Sequence, residues 1–345
     1  MVLLGIIASS RAQDSFQYLV VGGAWSPYVH IYLWNNGFGT KYADPATIPT
    51  GSVRGIKFTS TGDAVAFAHA NTPYISTYAW STAGFGSRKS NPATIPDSEG
   101  RGVDFRPGND TIMVAASFNS PHAFAYPWSG SGFGTKYANP GTVPGNSAHS
   151  CQWTSGGNYV VLATGGQGQI YLTSWSSGWG SKLAEPSGVG DLGTGQMARW
   201  KPVTTDAVAL SHDGEPYISA WAWNGSSTGS KYANPATLPA GNASGMGWNR
   251  LGTYIAAAHN TSPSVSVYPW SSGFGTKVSN PATLPGGDGM QVDWNESNTA
   301  IAVSSTSSPY IQAYPWTGSA FGTKYSNPAV LPEANGRSTL FFTQP

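Results

Sequence analysis

Three histidines and two aspartates hold most of the side-chain chemistry this 345-residue chain could offer. His69, His212 and His259 fall in one column of a long repeat, whose other members are Gly23, Ser117, Thr164 and Ser305. Three imidazoles suggest a metal. Equivalent positions on neighbouring sheets, however, stand roughly 10 Å apart, whereas the ligands of one zinc ion converge to about 2 Å from it. No metal and no cofactor are therefore expected. With Trp25, Asn71, Phe118, Asn119, Asp213 and Asn260 beside it, the column reads as polar strand ends bonding their own loops, with shallow ligand contact as the second reading. Asp104 and Asp293 lie on strands expected nearest an axis, three repeats apart, and no positioned base or oxyanion donor accompanies them. No Gly-x-Ser-x-Gly, phosphate loop or His-Glu-x-x-His is present.

These residues are carried by a unit that recurs every 46–48 residues and is marked by Trp34, Trp80, Trp128, Trp175, Trp223, Trp270 and Trp316. In the second copy, Ser52–Phe58, Ala64–His69 and Tyr74–Trp80 are short runs rich in β-branched and aromatic residues. Gly, Pro, Asn or Ser bounds each run, the pattern of strands, and no window holds a helical period. Periods in the forties built of short strands indicate propeller blades. The expectation is an all-β, seven-bladed β-propeller over residues 16–345, with four antiparallel strands per blade. Phe16–Val21 matches a second strand, so the first strand of blade one is missing from the N-terminal end. Arg337–Phe342 supplies it, with Leu340 in the apolar column of Ile56 and Phe342 in the aromatic column of Phe58, Phe105, Trp153, Trp200, Trp248 and Trp294. Closure by the C-terminal strand leaves no open sheet edge. The single cysteine, Cys151, falls in that apolar column, which excludes an intrachain disulfide.

Two further columns repeat. Phe38, Phe85, Phe133, Trp179, Phe274 and Phe321 sit at the turn between the third and fourth strands. They could stack on sugar faces, or tuck between neighbouring repeats. Lys41, Arg88, Lys136, Lys182, Lys231, Lys277 and Lys324 lie on the outermost strand, where lysine discourages edge-to-edge pairing. The repeat breaks in the fourth copy, at 165–169 and 187–191. Charged residues make up 10% of the chain at a net charge of +1, so no field favours nucleic acid or an anionic membrane. Residues 1–15 form a separate segment whose Leu3, Leu4, Ile6 and Ile7 are too few to span a bilayer and lack a preceding positive charge. They are expected to anchor the propeller, with a weak signal peptide as the alternative.

The repeated unit, with Phe105-Arg106-Pro107-Gly108 as its turn, resembles WD-repeat-like propellers of tailed bacteriophages, and Leu3–Ser10 resembles the opening of phage virion and tail proteins. No Asp follows the repeat tryptophans, so the buried relay of cellular WD repeats is not expected. The resemblance implies a non-enzymatic virion protein of the tail or a fibre, within a multi-subunit assembly. Its N-terminal segment would contact other virion proteins and its loops would meet host-surface glycans. The alternatives are a purely structural virion component, a secreted lectin-like protein, or a glycan hydrolase dependent on Asp104 or Asp293.

Overall fold

The computed structural model describes residues 16–345 apart from 109, 110, 167, 168 and 191. The expected anchor residues Leu3, Leu4, Ile6 and Ile7 lie outside the described residues. The protein is an all-β propeller. Among the described residues, strands fall into seven antiparallel sheets. The innermost strands are, in ring order, Gly336–Thr343, Val53–Phe58, Gly100–Phe105, Ala148–Trp153, Gly195–Trp200, Ala243–Trp248 and Gly289–Trp294. Each touches the next in that order, and the last touches the first. The strand Gly336–Thr343 pairs antiparallel with Gln17–Gly23, so one sheet joins both ends of the described chain.

The second strand of each sheet explains why the units assemble. Ala64–His69, Ala207–His212 and Ala300–Ser305 are buried at every position. Such a strand is covered on both faces, so it reads as a continuous apolar run rather than an alternating one. The repeat tryptophans are 3–6% exposed. Each meets the aromatic ring of its own innermost strand edge-on, as in Trp175–Trp153 at 5.1 Å and Trp316–Trp294 at 4.8 Å. A tyrosine from the preceding sheet often completes the cage, as in Trp80–Tyr42 and Trp34–Tyr325. Edge-on aromatic pairs add about 0.5–1.5 kcal/mol beyond burial, so the same ring stabilises its own sheet and ties it to its neighbour.

Two details differ from the sequence reading. The aromatic of the closing strand is Phe341, not Phe342: Leu19 pairs with Phe341, and the Phe341 ring lies 5.0 Å from Trp34 at 79°. Phe342 stacks instead on Phe58 at 4.1 Å, and Thr339, not Leu340, opposes Val21 in the apolar column. Adjacent phenylalanines make the one-residue slip hard to resolve from sequence, although it exchanges the two faces of the strand.

The fourth strand is also not uniform. It spans four or five residues where the third strand carries Leu33, Ala79, Ser174 or Ala222. It shrinks to Gly132–Phe133 beside Pro127, and to the lone bridges Trp270–Phe274 and Trp316–Phe321 beside Pro269 and Pro315. The carbonyl at this position faces outward, since Pro127 O accepts from Gly134 N and Pro269 O from Gly275 N. Proline keeps that acceptor but has no N–H to return, which leaves two sheets three-stranded.

Candidate functional site

Every innermost strand carries one residue that its partner strand skips. The ladders break between Val53 and Gly55, Gly100 and Gly102, Ala148 and Ser150, and Gly195 and Met197. They break again between Ala243 and Gly245 and between Gly289 and Gln291, and the closing strand skips between Gly336 and Ser338. The skipped residues are Arg54, Arg101, His149, Gln196, Ser244, Met290 and Arg337. A bulge leaves its extra residue unpaired and re-aims it, and all seven line one concavity of about 130 Å³ at the axis.

Close packing sets the bulge. A Cβ on Gly289 would fall 2.1 Å from Ser264 O, and one on Gly100 would fall 2.2 Å from Tyr74 O. In both cases the carbonyl belongs to the loop between the second and third strands of the preceding sheet, so only glycine fits at these two strand entries, whereas Val53 occupies the equivalent place in its own sheet. That loop therefore presses on the strand just before the residue that turns inward.

The mouth is polarised. Arg337, Arg54, Arg101 and His149 are contiguous around the ring, and Gln196, Ser244 and Met290 complete it. Glu99 bridges two of the arginines: Arg54 Nε lies 2.5 Å from one carboxylate oxygen, and Arg101 Nη2 and Nε lie 3.0 and 3.2 Å from the other. Three guanidiniums thus face one carboxylate. Burial lowers the Arg101 pKa against the pull of Glu99, and burial with the neighbouring Arg54 charge lowers that of Arg337. The His149 imidazole is held down to about 4, first by burial and then by Arg101, so it is neutral at pH 7. Its Nε2 lies 3.2 Å from Ser147 Oγ.

The residues singled out from sequence are placed differently. Phe118 is 46% exposed, lies parallel to the His149 ring at 6.5 Å, and has the Arg101 guanidinium 4.9 Å from its centroid. Asp213 accepts a hydrogen bond from Gln196 Nε2 at 2.9 Å. These two touch the mouth. Asn71 is spent on Thr50 O, and the backbone N–H groups of Asn119 and Asn260 bond Ser98 Oγ and Asn242 O. Trp25 is 69% exposed. His69, His212 and His259 are fully buried, with Nε2 2.9–3.0 Å from Ser76, Ser219 and Ser266 Oγ. As sealed strand ends they cannot contact a ligand. The turn rings Phe38, Phe85, Phe133, Trp179, Phe274 and Phe321 lie edge-on against their repeat tryptophans at 5.0–5.5 Å. They are half-buried packing rather than an open stacking face.

Asp104 and Asp293 also have structural partners. Asp104 accepts from Trp153 N at 2.8 Å and lies 2.9 Å from Lys57 Nζ. Asp293 accepts from Phe341 N at 2.7 Å and takes both Nη groups of Arg250 at 3.0 and 3.1 Å. Each carboxylate therefore ties one innermost strand to the next. Among the described residues no group of His, Cys, Asp and Glu is arranged to hold a metal ion.

The buried histidines carry a pH dependence. Burial lowers His69, His212 and His259 from 6.5 to about 4, so the unfolded chain binds protons that the folded chain refuses. Their contribution is complete above pH 6.5 and is lost as pH falls towards 4, at up to about 3 kcal/mol per group. The urea midpoint is expected to fall between pH 7 and 4.5, and to fall less in His259→Ser, the residue found at the equivalent Ser305. A midpoint flat across that interval would refute the assignment.

Fold and site together define a β-propeller with a cationic pocket on its axis. No family model matches the chain, and no curated protein does. Solved structures share its fold over nearly its whole length. A protein from Bacteroides uniformis assigned as a 6-phosphogluconolactonase aligns at a TM-score of 0.73 and 12% identity, covering 96% of this chain and 100% of its own. The periplasmic gluconolactonase of Pseudomonas aeruginosa aligns at 0.72 and 11%, covering 95% and 100%. A Lactobacillus plantarum protein aligns at 0.72 and 13%, covering 95% and 99%. At such identities the likeness concerns the fold. It nevertheless corrects the expectation of a non-enzymatic virion protein, because proteins named for lactone hydrolysis share this architecture from end to end.

Proposed function

We propose that the axial mouth binds a small anionic sugar derivative and that the protein hydrolyses a sugar-acid lactone there. The reading takes the seven sheets as blades of one ring closed by Gly336–Thr343, which places the seven bulge residues around a single ligand. The observation that carries it is the unbroken arc of Arg337, Arg54, Arg101 and neutral His149, in which Glu99 is the carboxylate that meets the guanidiniums. Planar guanidinium forks suit phosphate and carboxylate groups. The lactonase names of the fold neighbours supply the reaction class.

In this mechanism the arginines hold the anionic group and the lactone carbonyl lies near His149. The imidazole takes a proton from water as the water oxygen bonds to the carbonyl carbon. The bond from that carbon to the ring oxygen then breaks, and the ring oxygen receives the proton, which leaves an open-chain hydroxy acid. A base with a pKa near 4 is weak. The substrate anion offsets the Arg101 and Arg54 charges that help depress His149, so binding itself strengthens the base.

The test is hydrolysis of glucono-lactone and its 6-phosphate, followed by NMR against the spontaneous rate. Turnover is expected, with a raised KM in Arg101→Ala and a kcat lowered about 10²–10⁴-fold in His149→Gln. No acceleration of either lactone, with no shift in Tm by gluconate or inorganic phosphate, would overturn the proposal.

A further inference from the structure

Below the mouth the axis narrows to a waist of about 30 Å³ between Arg54, Arg101, Cys151, Arg199 and Thr339. It then widens into a second cavity of about 150 Å³. Five acidic or basic side chains face that cavity: Lys57, Asp104, Arg199, Arg250 and Asp293. Four are matched. Lys57 pairs with Asp104, and Arg250 pairs with Asp293. Each carboxylate spends an oxygen on a backbone N–H of the next strand as well.

Arg199 is the group left over. Its Nη1 donates to Ala198 O at 3.0 Å and to Cys151 O at 3.5 Å. Among the described residues no carboxylate lies within ion-pair distance of it. A guanidinium carries five N–H donors, and the two carbonyls engage only its Nη1. The cavity has room for an ion with water around it, and the waist excludes anything the size of a sugar.

We infer that this inner cavity is a binding site for a small inorganic anion of the halide class, held by the Arg199 guanidinium. The ion gives Arg199 a counter-charge of its own, since Lys57 is met by Asp104 and Arg250 by both Asp293 and Glu296. It sits on the far side of the waist from the lactone site, so its presence does not depend on that activity.

Crystals of the intact protein soaked in sodium bromide, with data collected at the bromine absorption edge, test the site. An anomalous peak beside the Arg199 guanidinium is expected, retained in Arg199→Lys and lost in Arg199→Met. In solution, ³⁵Cl NMR line broadening by the wild-type protein should weaken in Arg199→Met. No peak in the axial cavity of the wild-type crystal overturns the proposal, as does an unchanged peak in Arg199→Met. If Arg199→Met does not fold, the wild-type and Arg199→Lys crystals decide it alone.

Discussion

Phe341→Ala is expected to destabilise the protein by about 3–5 kcal/mol, the cost of emptying a buried aromatic site. The ring is 4% exposed and packs edge-on against Trp34, on the strand that joins the two ends of the described chain. The loss should not stay local. A ring whose last strand loosens exposes a bare edge on Gln17–Gly23 and separates two sheets at once. Near-ultraviolet circular dichroism and hydrogen exchange should therefore report a lowered transition for all sheets together. Phe342→Ala serves as the comparison, since Phe342 is only partly buried and stacks on Phe58. If Phe342→Ala proved the more damaging change, the register of the closing strand would be wrong.

Asp293→Ala should cost less, about 1–3 kcal/mol, because it leaves the buried Phe341 N–H without its acceptor. Arg250 would lose its two contacts to Asp293 but keep Glu296 at 3.2 Å, and Phe341 N would lose its acceptor. Asp293→Asn keeps an oxygen for Phe341 N and should fall between wild type and Asp293→Ala. Lactone turnover per folded molecule should change little in either variant, since the carboxylate lies in the inner cavity rather than at the mouth. Loss of turnover in fully folded Asp293→Asn would return this aspartate to the catalytic role that the sequence raised for it.

The propeller was legible because its cause is written along the chain. The repeat tryptophans sit where two sheets and a turn converge, and their period in the forties, combined with short strand-like runs, points to blades. The register of the last strand was less legible: Phe341-Phe342 satisfies an aromatic column at either position, and only pairing with Leu19 settles which ring faces Trp34. The unequal fourth strands could have been read from Pro127, Pro269 and Pro315, because a missing donor is a property of the residue itself.

The candidate site is less legible for a different reason. Arg54, Arg101, His149, Gln196, Ser244, Met290 and Arg337 recur with the same period as the tryptophans, just ahead of the apolar column around Ile56 and Cys151. Beyond the three arginines they share no chemical type, so they form no repeated column in the sequence. Polar loop ends such as His69, His212 and His259 do repeat, and they repeat because they are packing. Variation within an otherwise regular array was the available signal for the mouth.

The skipped residue in each innermost strand has an evolutionary consequence. A side chain that takes no part in the ladder can be exchanged without disturbing strand registration, and here seven such positions converge on one opening. The rim works like a combination lock with seven dials, each of which can turn while the casing stays intact. Divergent ligand preferences could therefore arise on this scaffold by single substitutions, without new loops and without loss of the fold.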